Sequence, residues 1–173
     1  MKIKPRIRSF LALGCWVVAA TGVFGRAALP RAGFVAAPDT VIPKVFIKGQ
    51  SERLEELLNE QFPKQIIYVF NDNVNAAFSA CARMVLDIEK YGDQTGFDIR
   101  GIKAFVTFYF DRKGGIRHIA YSLKGNSRYF KPEELERFFR QFMNVYRMPV
   151  NAKYNFQHEF QLIIPLPWIV EKH

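Results

Sequence analysis

Three side chains with acid–base character fall in or beside extended stretches of this chain: Asp111, His118 and Glu159. A carboxylate–imidazole–carboxylate set could move a proton near neutral pH, because histidine titrates there. Their surroundings speak against that use. Asp111 opens the turn Asp111-Arg112-Lys113-Gly114-Gly115, and His118 and Glu159 are expected on opposite faces of ordinary strands. No nucleophile or phosphate-cradling loop accompanies them, and His118, His158 and His173 share no ligand spacing with cysteine or carboxylate. The chain is therefore read as non-catalytic, with no cofactor and no metal. Cys81 lies in an Ala-rich helical run at 75–83. It reads as a small core residue, with a reactive thiol or an intermolecular bridge as the sharper alternative.

The elements that must position these residues follow from periodicity. In GIKAFVTFYFDRKGGIRHIAYSL, 101–123, Ala104, Val106, Phe108 and Phe110 alternate with Phe105, Thr107 and Tyr109, the period of a strand. Gly114 and Gly115 then supply positive φ for a tight return, and Ile119, Tyr121 and Leu123 share one side of a second strand. Upstream, 45–49 is a short extended piece. Ser51 caps a helix carrying Leu54, Leu57 and Leu58, which stops near Phe62 because Pro63 disfavours helical geometry before it. The apolar run 66–70 is expected as a buried strand, and a second helix, about 75–91, presents Phe78, Ala82, Val85 and Ile88. Pro132 with Glu133 and Glu134 opens a third helix, whose Leu135, Phe138 or Phe139, Phe142 and Tyr146 are the natural cover for the hairpin. A last strand in 156–166, FQHEFQLIIPL, places Phe156, His158, Phe160, Leu162 and Ile164 on one side and ends at Pro165, so it is expected at a sheet edge or bulge. The fold class is α+β: a small antiparallel sheet, the hairpin 103–123 plus the strand 156–166, packed against two or three helices.

The composition adds a destination. Of 173 residues 49% are hydrophobic and 17 are Phe, enough for one domain with a real core. Lys2, Lys4, Arg6 and Arg8 precede an uncharged stretch at 10–24, so much of the formal +9 belongs to a topogenic segment; without residues 1–25 the charge is +5. Fifteen apolar residues suit a secretory signal peptide better than a span of about 20, and a short N-terminal membrane anchor is the alternative. Either way the chain is expected to be exported to the periplasm, touching membrane only through residues 1–25. Ala12-Leu13-Gly14-Cys15 is a faint lipobox in which a thiol within the apolar segment is favoured over lipidation. Residues 26–43, with Pro30, Pro38 and Pro43, form a linker to a single domain at 44–173 that carries an inserted segment at about 63–100. The remaining cations are too interspersed for nucleic acid.

The order of strand, tight turn, strand, helix and strand resembles the C-terminal domain of TonB, in the version common in Bacteroidota, over about residues 43–168. The matching residues are Pro43-Lys44-Val45-Phe46-Ile47-Lys48-Gly49 before the first helix, Gly101 to Phe108 as the "G-x-V-x-V-x-F" strand, and Asp111 to Gly115 with Ile116, Ile119 and Tyr121. Met143-Asn144-Val145-Tyr146 stands where that family has "M-P-x-W", and Ile164-Pro165-Leu166 where it has "V-P-I". The chain departs in its long 63–100 connection, in Tyr146 for tryptophan, and in a linker that reaches only ~60 Å fully stretched, too short to cross a periplasm. The resemblance implies a protein-binding module accessory to outer-membrane transport, in which an exposed sheet edge accepts an extended segment of an envelope protein such as an outer-membrane receptor. The residues it points to are Phe156, His158, Phe160, Leu162, Ile164 and Tyr146, with the second hairpin strand as the expected neighbour of the edge at 156–164. A second copy pairing through the edge, or coverage of the edge by 66–70, are the alternatives at that site, and a structural envelope-complex component is the alternative function.

Overall fold

The computed structural model describes residues 41–166. The leader, Cys15, most of the linker and His173 lie outside the described residues. The elements in chain order are β1 (Val45–Ile47), α1 (Glu52–Gln61), β2 (Lys64–Gln65), α2 (Ile66–Val69), α3 (Val74–Thr95), β3 (Lys103–Phe110), β4 (Ile116–Leu123), α4 (Pro132–Val145) and β5 (Phe156–Ile163). No described helix is long and apolar enough to cross a membrane.

Local chemistry sets the helix limits. The Leu54 N–H donates to Ser51 Oγ at 3.4 Å to start α1, and Pro63 follows its C-cap Phe62. Asn73 Oδ1 accepts from the Ala76 N–H at 3.0 Å, and α3 ends on Gly96 at φ +70°. Pro132 occupies the first turn of α4 with Glu133 and Glu134 beside it. The 66–70 run is a correction to the sequence expectation: it holds the short helix α2, and the extended pairing lies just before it, at β2. A continuous apolar run has no period, so it suits a buried helical turn as well as a strand.

The sheet has five strands in the order β1-β4-β3-β5-β2. It is mixed, which corrects the expectation of a small antiparallel sheet: β3 pairs antiparallel with β4 and β5, whereas β1 and β2 add in parallel to β4 and β5. The neighbour of β5 is thus the first hairpin strand, where the second was expected. Only Gly114 of the turn pair takes positive φ, at +77°. A register shift between Tyr109 and Phe110 sets Ile116 opposite Phe110.

Two apolar clusters flank this sheet. Ala104, Val106, Phe108, Phe110, Ile119 and Tyr121 meet α3 and α4, where Leu135, Phe138, Phe139 and Phe142 are buried, as the spacing of that helix predicts. On the other face α1 brings Leu58 and Phe62 onto Phe46, Tyr109 and Ala120. Within the larger cluster the buried Tyr121 hydroxyl has no hydrogen-bond partner among the described residues, and burial, with Glu136 and Glu133 nearby, pushes its pKa up to about 12. An orphaned hydroxyl costs free energy that a phenylalanine avoids, so Tyr121→Phe is expected to stabilise the domain by about 1 kcal/mol. A urea midpoint that falls in this variant would show that the hydroxyl has a partner.

Candidate functional site

The three acid–base residues are occupied separately. Asp111 Oδ1 accepts from the Lys113 and Gly115 N–H groups at 2.9 and 3.0 Å, and Oδ2 pairs with Arg117 at 3.2 Å. The His118 ring donates from Nδ1 to the Pro43 carbonyl at 2.8 Å, and burial holds its pKa below the usual value. Glu159 pairs with Lys48 and accepts from the Thr107 hydroxyl at 3.3 Å. The register pairs Tyr109 with His118 and with Gln157, and Thr107 with Ala120 and with Glu159. His118 and Glu159 therefore share a face, against the expectation of opposite faces, with β3 between them. No hydrogen bond or ion pair joins any two of the three among the described residues. No group of three or more described histidine, cysteine or acidic side chains could hold a metal ion.

The binding residues expected on the last strand divide between core and surface. Phe156, Leu162 and Ile164 are 0 to 1% exposed, and Phe156 stacks on Phe110 at 4.9 Å between ring centroids, so they belong to the core and offer no side-chain surface. Tyr146 is half-buried, stacks on Phe142 at 5.0 Å and borders polar depressions beside Arg147, away from β5. His158 and Phe160 are half-buried, stack on each other at 5.6 Å, and face a groove of about 320 Å³. Burial lowers the His158 pKa, which keeps this wall of the groove neutral at pH 7.

The groove runs between β5 and α3. Ile66, Ile67, Val74, Ala77, Phe78, Cys81, Ala82, Val85, Gln161 and Leu166 complete its lining, and Val74 and Phe78 on the rim are 68% and 60% exposed. Cys81 is a buried wall residue whose pKa is pushed up to about 11 by burial, so it is a protonated, inert thiol at neutral pH. The α3 and α2 residues of the groove were missed at sequence level. A signal existed in α3, where Val74, Phe78 and Ala82 form an apolar stripe beside that of Ala77, Cys81, Met84 and Ile88.

Beside this groove the edge of β5 is open. The Lys124 N–H donates to the Lys103 carbonyl at 2.8 Å, so Lys103 directs its main chain to β4. By the alternation of an antiparallel ladder, Ala104, Val106 and Phe108 then bond Leu162, Phe160 and His158. The main-chain groups of Gln157, Glu159, Gln161 and Ile163 point the other way. β2 takes up Gln157 and stops there. Beyond it, no described strand lies along the outward side of β5 at Glu159, Gln161 and Ile163, whose register partners are all on β3. An extended segment laid along these residues would insert alternate side chains between β5 and α3.

A scan of protein-family models, a search of curated proteins and a search of solved structures returned no match to this chain. The class defined here is accordingly architectural: an α+β domain with one mixed five-stranded sheet.

Proposed function

We propose that this chain is a non-catalytic module of the cell envelope that recognises an extended segment of a partner protein by strand addition to β5. The single observation that carries this reading is the juxtaposition of the outward main-chain side of Glu159, Gln161 and Ile163, which no described strand covers, with the apolar groove. Main-chain hydrogen bonds supply affinity, and the groove selects apolar residues at alternate positions of the guest. The order of elements that resembles the TonB C-terminal domain and the exported character of the leader support a periplasmic site of action, with an outer-membrane receptor as partner.

The test uses the full chain and peptides selected on it from a random library. Gln161→Pro removes one outward-facing N–H and no bond to β3, a place where an edge strand tolerates proline. Selected peptides should alternate apolar and polar residues and lose about tenfold or more in affinity for this variant, with circular dichroism unchanged. Undiminished binding by a folded Gln161→Pro chain would refute strand addition.

A further inference from the structure

The end of the sheet that carries the β3–β4 turn gathers cations. Exposed Lys44, Arg112, Lys113, Arg117 and Arg147 border two adjoining polar depressions of about 290 and about 600 Å³, which share Asp111 and Arg117. Asp111 is the only acid in either lining, and its carboxylate is already occupied by two backbone N–H groups and Arg117. Residues 41–166 hold 18 basic and 14 acidic side chains, a formal +4. This one end, with five cations and one acid, carries a charge equal to that whole surplus. Asn144, Asn151 and Asn155 add neutral hydrogen-bonding groups.

The cluster is built on fixed backbone. Arg147 Nη1 donates to the Lys113 carbonyl at 3.2 Å, the Met148 N–H to Gly114 O at 2.9 Å, and the Ala152 N–H to Arg112 O at 2.8 Å. Exposed Val145 stands on the rim of the smaller depression. The same end receives the chain from its N-terminal side: the Pro43 carbonyl accepts from His118, and the Lys44 carbonyl accepts from the Ile119 N–H at 2.8 Å. The sequence that precedes it, residues 1–40, holds the basic and apolar segments of a membrane-directed leader.

We propose that this basic end docks on the phosphate-bearing headgroups of anionic phospholipid, on the membrane to which the N-terminal segment directs the chain. The inference stands apart from the peptide groove and rests on the leader reading. Cations near an anionic bilayer each strengthen association by about fivefold, within a Debye length of the surface. A guanidinium pair takes phosphate oxygens bidentately, and lysines add point charges.

The test reconstitutes the full chain into nanodiscs of phosphatidylcholine alone or with about 30% phosphatidylglycerol, a content that gives the bilayer a negative surface potential. Amine-reactive labelling read by mass spectrometry then follows Lys44 and Lys113, with Lys64 and Lys90 as internal controls. In anionic discs Lys44 and Lys113 should react about fivefold more slowly, and about 0.5 M NaCl or Arg112→Glu with Arg147→Glu should abolish the difference. Equal labelling in both discs overturns the proposal. So does protection by inorganic phosphate in neutral discs, which would make the site one for a soluble anion.

Discussion

Gly114→Ala is expected to lower the stability of the domain by about 3 kcal/mol, far more than one methyl group ordinarily costs. Two effects add. At φ +77° an L side chain meets its own carbonyl, a cost of roughly 1–2 kcal/mol, and the new Cβ falls 2.1 Å from the Met148 carbonyl oxygen. That oxygen belongs to a segment held to the turn by the Met148 N–H bond to Gly114 O, so relief requires parting two pieces of backbone, with a cost like overpacking, about 1–3 kcal/mol. Two other glycines separate the terms. Gly49, at φ +83° with nothing within 4 Å of a built Cβ, carries the strain alone, and Gly125 has open space and no positive φ. Urea midpoints should fall in the order Gly125→Ala, Gly49→Ala, Gly114→Ala, each lower than the last. Equal loss at Gly49 and Gly114 would mean that the Met148 contact does not form.

Phe108→Ala is expected to cost about 3–5 kcal/mol, while the same change at Phe105 costs under about 1 kcal/mol. The two residues are three apart on β3 and project from opposite faces. Phe108 is 0% exposed and its ring lies 6.1 Å from Phe110 and 5.6 Å from Phe160, so its removal leaves a cavity that those rings cannot fill. Phe105 is 44% exposed, with the Lys124 ammonium 5.3 Å from its ring centroid, and α1 does not extend over it. Phe160 also forms a wall of the groove, so the Phe108 truncation should loosen peptide binding in whatever fraction stays folded. Similar losses at both positions would mean that β3 presents its faces otherwise.

Local features of this fold were legible in the residues, and distant pairings were not. Ser51 and Pro63 bracket α1, Pro132 opens α4, and alternation across 104–110 with the turn at 111–115 marks the hairpin, because each signal acts within a few residues of its cause. The extended piece at 45–49 was legible and holds β1, but its parallel pairing with a strand far along the chain was not, and β2, two residues long, leaves no local trace. The sharing of a face by His118 and Glu159 depends on which strands pair and in what register, information absent from either strand alone. The same reason explains the binding residues. Alternation placed His158 and Phe160 with Phe156 and Leu162 correctly, yet only the course of α2 and α3 decides that the middle pair borders a groove while the others are core.

The outermost strands also set the order in which the sheet can be completed. β1 must wait for β4 and β2 for β5, although each precedes its partner by most of the domain, whereas the central β3–β4 ribbon closes through one turn. Loop-closure entropy therefore delays β1 until the ribbon exists and β2 until β5 has joined it. A chain emerging amino end first, as from a ribosome, has no sheet to begin until the ribbon at 103–123 is out, so early folding of its first half is disfavoured by the topology itself.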